Sequence, residues 1–126
     1  MRDGFAGYPG VAAVWLFGSR ARGGARAASD VDLAVEPADP SVRARKLDML
    51  TDLVRAGFED VDLVILDRDD PVLRYEAIGP NVVVYAAPHY DTAEAWSQAL
   101  RRYLDTAPLR RRVREAYYER LLADDG

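Results

Sequence analysis

Hydrophobic positions along the 126-residue chain change period several times, and each change marks an element. Val11 to Phe17 is an unbroken apolar run of strand length, the pattern of a buried strand. Asp30 to Val35 alternates instead, with Val31, Leu33 and Val35 on one side and Asp30 and Asp32 on the other. That is a strand with one face in a core and one face free for chemistry. Val61 to Leu66 reads as a third strand, with Asp62 set against Val61, Leu63 and Ile65. Val82 to Tyr85 is a brief, β-branched fourth.

Helices fill the intervals. Asp39-Pro40 pairs a capping residue with a proline at the first helical position. The spacing behind it predicts a helix whose stripe is Leu47, Leu50 and Val54 and whose end is Gly57. Asp70-Pro71 repeats the signal for a short helix ending at Gly79-Pro80. Asp91 and Glu94 form a capping box. The helix it opens carries Trp96, Ala99, Leu100, Tyr103 and Leu104 at helical spacing. Pro108 interrupts it, and a last helix runs through Val113, Ala116, Tyr117 and Leu121. Residues 1–10, with glycines and Pro9, read as an irregular lead-in. The order of elements predicts an α/β fold with a small mixed sheet and helices packed on one face. The first two strands lack a crossover helix between them, which suits an antiparallel pair.

The length fits one domain, residues 1–126. No apolar run approaches the roughly 18 residues of a membrane span, no charged-then-apolar leader opens the chain, and there is no cysteine. Disulfides and thiolate metal sites are excluded, and a cytoplasmic protein is the expectation. The net charge of −4 argues against direct binding of nucleic acid. Basic residues are almost all arginine, Lys46 being the one lysine, and they cluster at 20–26 and 101–120.

The chemistry concentrates in Phe17-Gly18-Ser19-Arg20-Ala21-Arg22-Gly23 and Ser29-Asp30-Val31-Asp32-Leu33. A Gly-Ser turn lets backbone N–H groups approach phosphate oxygens. Asp30 and Asp32, two apart on a strand, project from one face about 6–7 Å apart. Their charges repel unless a cation lies between them, and carboxylates are hard oxygen ligands that suit Mg²⁺. With Asp62 in a neighbouring strand, three carboxylates converge on a site for phosphoryl or nucleotidyl transfer. In such a site Gly18 and Ser19 hold the nucleotide's phosphates, and Arg20 or Arg22 neutralises their charge. Asp30 and Asp32 ligate metal, and Asp62 completes the set and helps deprotonate the incoming hydroxyl.

Other residues invite simpler readings. His89 sits in a polar turn and reads as a solvated loop residue, and Trp15 and Trp96 as packing residues. Of Asp67, Asp69 and Asp70, one caps a helix and the others are solvated. Arg110, Arg111, Arg112 and Arg114 read as an exposed helix face.

The Gly-Ser turn, ten residues and then Asp-x-Asp resemble the signature of the DNA polymerase β-like nucleotidyltransferase superfamily. More closely, Leu16 to Gly23 with Ser29 to Leu33, Val61-Asp62-Leu63-Val64 and Leu73-Arg74-Tyr75-Glu76 resemble the minimal nucleotidyltransferase (MNT) antitoxins paired with HEPN-domain toxins. The resemblance implies a nucleotidyltransferase fold and transfer of AMP from ATP, with Mg²⁺, to a tyrosine of a HEPN ribonuclease that is thereby silenced. It implies a hetero-oligomer with that toxin, and residues 91–123 are the candidate docking segment. Two competing readings remain: an antitoxin acting by binding alone, and a small-molecule nucleotidyltransferase of the aminoglycoside-modifying type. Two departures stand out. The family usually has a full helix before the first strand, and only ten residues precede it here. Either the native chain starts earlier or that layer is missing, which would expose an apolar face. Gly79-Pro80-Asn81 also replaces a basic residue common before the fourth strand.

Overall fold

A computed structural model describes residues 2–18, 31–58 and 60–124. The strands are β1 (Val11–Phe17), β2 (Val31–Pro37), β3 (Val61–Ile65) and β4 (Val82–Ala86). The helices are α1 (Arg2–Ala6), α2 (Ser41–Ala44), α3 (Lys46–Arg55), α4 (Pro71–Ile78), α5 (Thr92–Asp105) and α6 (Ala107–Asp124). The sheet is mixed, in the order β3-β2-β1-β4. β1 is antiparallel to both β2 and β4, and β2 is parallel to β3. β1 and β2 are thus antiparallel, as the lack of a crossover helix between them in the sequence suggested.

Helices cover both faces of this sheet, not one as the sequence suggested. Phe5, Tyr8, Val42, Met49 and Leu53 pack with Val31, Leu33, Val35 and Leu63 on one side. Trp15, Ala13 and Ala34 pack with Ala77, Ile78, Ala95 and Ala99 on the other. The reason is visible in β1, where Val11 to Trp15 are all buried, so both sides of this central strand need cover.

The lead-in is also more ordered than its glycines suggest. α1 forms, and Phe5 and Tyr8 are buried in the first cluster. Tyr8 donates a hydrogen bond to the Asp52 carboxylate, and the Arg45 guanidinium lies 4.6 Å from its ring centre. Burial, reinforced by this bond, pushes the Tyr8 pKa up to about 12.

Asp39 accepts a hydrogen bond from the Ser41 N–H at 2.9 Å, which lowers its pKa. The helix behind it is broken at Arg45 into α2 and α3. Val42, Met49 and Leu53 face the core with Leu50 beside them, while Leu47 is 74% and Val54 52% exposed. The predicted Leu47–Leu50–Val54 stripe is therefore corrected to Val42–Met49–Leu53. The other caps are where the sequence puts them. Asp70 accepts from the Leu73 N–H and Asp91 from the Glu94 N–H, both at 3.0 Å.

Candidate active site

The parallel pairing of β2 with β3 makes Asp32 the direct partner of Asp62. Side chains at paired positions share a face, and neighbouring strands lie about 4.8 Å apart. Phe17, the last residue of β1, pairs with Asp32 from the other side. Gly18 follows it with φ +74°, a conformation that side chains with a Cβ resist. A Cβ there would stand 2.2 Å from Asp32 Oδ2, so glycine is what lets the carboxylate lie against the turn. Asp32 is half-buried and Asp62 exposed, and the Val31 N–H donates to the Asp60 carbonyl at 2.8 Å to tie the two strand starts together.

Of the seven residues picked from the sequence, the structure brings Gly18, Asp32 and Asp62 together. Ser19, Arg20, Arg22 and Asp30 lie outside the described residues. Among the described residues no three carboxylate or imidazole groups cluster as a metal site. His89 is exposed in its turn and far from a role in such a cluster. Trp15 is wholly buried, edge-on to Tyr90 at 6.0 Å between ring centres. Its indole N–H finds no partner among the described residues.

One polar element escaped the sequence reading. Arg74 is 6% exposed and its Nη1 donates to Glu36 Oε2 at 2.7 Å. Glu36 shares the sheet face of Asp32 but lies four residues along β2, about 13 Å away at strand rise. The pair borders a cavity of about 520 Å³ with Arg68, Tyr90, Asp91 and Arg102. Burial pushes the Tyr90 pKa up to about 12, with the Glu36 charge adding to it. The available signal was spacing: Arg74 precedes the buried Ala77 and Ile78 by three and four residues, on the same helix face.

No described helix is long and apolar enough to cross a membrane. No curated protein matches the sequence. Solved structures do match by fold. A chain of a toxin–antitoxin crystal structure with AMP-PNP superposes at TM-score 0.73 and 21% identity, over 93% of this chain and 98% of that one. A chain of a mutant of the toxin–antitoxin MntA-HpeT gives 0.73 and 21%, over 90% and 91%. A chain from the tri-AMPylated Shewanella oneidensis HEPN toxin in complex with MNT antitoxin gives 0.67 and 22%, over 94% and 89%. Residues 2–89 match the family model described as polymerase beta, nucleotidyltransferase, and this span holds every strand of the sheet and the Gly18, Asp32 and Asp62 grouping. The chain belongs to the polymerase β nucleotidyltransferase family.

Proposed function

We propose that this chain is an antitoxin of the MNT type, which transfers AMP from ATP to a tyrosine of a HEPN ribonuclease toxin in the cytoplasm and so silences it. The register that sets Asp32 beside Asp62 next to the Gly18 turn is the observation that carries the chemistry. The acceptor class rests on the likeness, over nine-tenths of the chain, to toxin–antitoxin structures, one with AMP-PNP and one with a tri-AMPylated HEPN toxin. Residues 1–126 act as one minimal nucleotidyltransferase domain.

Two adjacent carboxylates are hard oxygen donors, and Mg²⁺ is commonly held by one or two carboxylates while keeping several waters. The donor set of Asp32 and Asp62 therefore fits this ion, and Asp30 extends it. Bound there, Mg²⁺ would neutralise phosphate charge and stabilise the leaving group. Gly18 and Ser19 cradle the phosphates with backbone N–H groups, and Arg20 and Arg22 offset their charge. Asp62, the more exposed carboxylate, receives the phenolic proton of the acceptor tyrosine. The phenolate oxygen then bonds to the α-phosphorus, the bond from that phosphorus to the β-phosphate bridging oxygen breaks, and pyrophosphate leaves with the electron pair.

The test is incubation of the purified protein with the product of its neighbouring gene, labelled ATP and Mg²⁺, followed by mass spectrometry. The neighbour should gain AMP on tyrosine, and the Asp32→Asn variant should add none. Label found on neither protein, or equal labelling by the variant, refutes the assignment.

A further inference from the structure

The cavity beside the Glu36–Arg74 pair takes no part in the chemistry described above. Its volume of about 520 Å³ falls within the range of about 300–1,000 Å³ usual for small-ligand pockets. Glu36 reaches its wall from β2, on the face of Asp32 but about 13 Å further along the strand. Ala34 stands between them on that face and is wholly buried in the cluster that α4 and α5 form on the sheet. Neither Asp32 nor Asp62 lines the cavity.

Its carboxylates are already committed. Glu36 accepts from Arg74 at 2.7 Å, Glu94 from Arg101 at 2.9 Å, and Asp91 from the Glu94 N–H at 3.0 Å. Two of its guanidinium groups are not. Arg102 donates to the Arg68 carbonyl, a neutral acceptor, which brings it to the root of a second arginine side chain on the same wall. Among the described residues neither Arg68 nor Arg102 has an ion-pair partner. The acids near Arg68 in sequence turn elsewhere, Asp67 to Arg43 at 3.6 Å and Asp70 to the Leu73 N–H at 3.0 Å. Two like charges held at one wall favour an anion between them, and the guanidinium fork matches phosphate oxygens.

The rest of the lining asks for more than a bare anion. The buried Arg74 guanidinium carries more N–H donors than its bond to Glu36 uses. Tyr90, with its pKa pushed up to about 12 by burial, keeps its phenolic proton at neutral pH. Asp91 and Glu94 would repel a small dianion, yet they accept hydrogen bonds from hydroxyl and amine groups. Phosphate, hydroxyls and amine together describe a nucleotide.

We infer that this cavity is a second, non-catalytic site for a nucleoside monophosphate, with the phosphate taken by Arg68 and Arg102 and the ribose hydroxyls and base amine by Glu36, Asp91 and Glu94. The inference stands apart from the antitoxin reading, because it uses none of the residues of the catalytic grouping.

Titration of the intact chain with AMP in EDTA, followed by amide NMR, tests this. Inorganic phosphate and pyrophosphate are titrated alongside. AMP should shift the amide signals of Glu36, Arg68 and Tyr90 saturably. Arg68→Glu/Arg102→Glu should weaken that binding at least 10-fold. Arg68→Gln alone, at an exposed position, should weaken it at least threefold and checks the result should the double variant fold poorly. Asp32→Asn, which stops transfer, should leave it within twofold. Shifts confined to the surroundings of Asp32 and Asp62 overturn the inference, as does a parallel loss in Asp32→Asn. Unchanged affinity in both arginine variants overturns it too. Phosphate or pyrophosphate binding as tightly as AMP overturns the nucleotide assignment by reducing the cavity to an anion site.

Discussion

Replacing Gly18 by alanine separates the stability of the turn from the position of the carboxylate behind it. At φ +74° the added Cβ carries a backbone cost of about 1–2 kcal/mol. It would also stand 2.2 Å from Asp32 Oδ2 and 3.1 Å from Asp32 Cγ, whereas ordinary contact begins near 3.4 Å. The carboxylate is the far end of a short side chain, so a retreat of about 1 Å relieves the contact. That retreat moves it off the place it shares with Asp62. A misplacement of about 1 Å costs on the order of a hundredfold in rate, or about 2.7 kcal/mol of barrier. Gly18→Ala should thus lose about 1–2 kcal/mol in urea melts and about a hundredfold in initial rate of AMP transfer. In an Asp32→Ala background the Oδ2 and Cγ contacts are gone and the Asp32 Cβ stands at 3.4 Å. The stability cost there should be the same to within about 0.5 kcal/mol, since it comes from the backbone alone. Two results would sink the reasoning. A rate within threefold of the parent would show that Asp32 does not act from this position. A stability cost that vanishes without Asp32 would show that the clash, not the φ angle, sets the price.

Three further outcomes follow from the geometry. Arg74→Met strands the Glu36 carboxylate, itself only 14% exposed, and should cost about 3–5 kcal/mol in urea melts, while Arg74→Met/Glu36→Leu should recover most of it; equal losses would refute a buried pair. Tyr8 has a pKa raised to about 12 in the fold against about 10 unfolded, so its contribution is complete below pH 10 and is lost as pH rises through 12; a Tyr8→Phe variant should show a flatter loss of urea midpoint between pH 9 and 11.5. Asp32→Asn and Asp62→Asn should each abolish transfer; residual transfer near the parent rate would remove these residues from the site.

How much of this was legible in the sequence depends on the range of the signal. Caps are local, and Asp70 and Asp91 accept from the third residue ahead as their spacing predicts. Strand alternation is local too, and it placed Asp32 and Asp62 on matching faces before their pairing was known. The misreadings came from longer range. In α3 two stripes share Leu50, namely Leu47–Leu50–Val54 and Met49–Leu50–Leu53, and packing against the sheet selects the second and leaves Leu47 and Val54 outward. α1 is too short to stand on propensity, and forms because Phe5 and Tyr8 pack in one cluster with Met49 and Leu53. The Glu36–Arg74 pair joins residues 38 apart, and only tertiary packing brings them together.

The two-sided cover also explains how one sheet face holds both a core and acids. On the face of Asp32 and Asp62, the half toward Glu36 is floored by Ala13 and Ala34, and α4 and α5 meet it through Ala77, Ala95 and Ala99. Small side chains on both surfaces let the helices come close, and the larger Trp15, Leu66 and Ile78 fill what remains. The alanines therefore seat the helical layer at one end of the strands, and the carboxylates stand at the other, where β2 and β3 begin and Asp62 stays exposed. Had Ala34 been a large residue, α4 and α5 would be pushed outward and the Trp15 cluster opened. Had Asp32 been moved two residues along to position 34, its charge would be buried under α4 without a partner, at a cost of several kcal/mol. The position of the acids along β2 and β3 is thus dictated by where the helical layer stops, and the chain reaches that arrangement with the same two-residue alternation that builds its core.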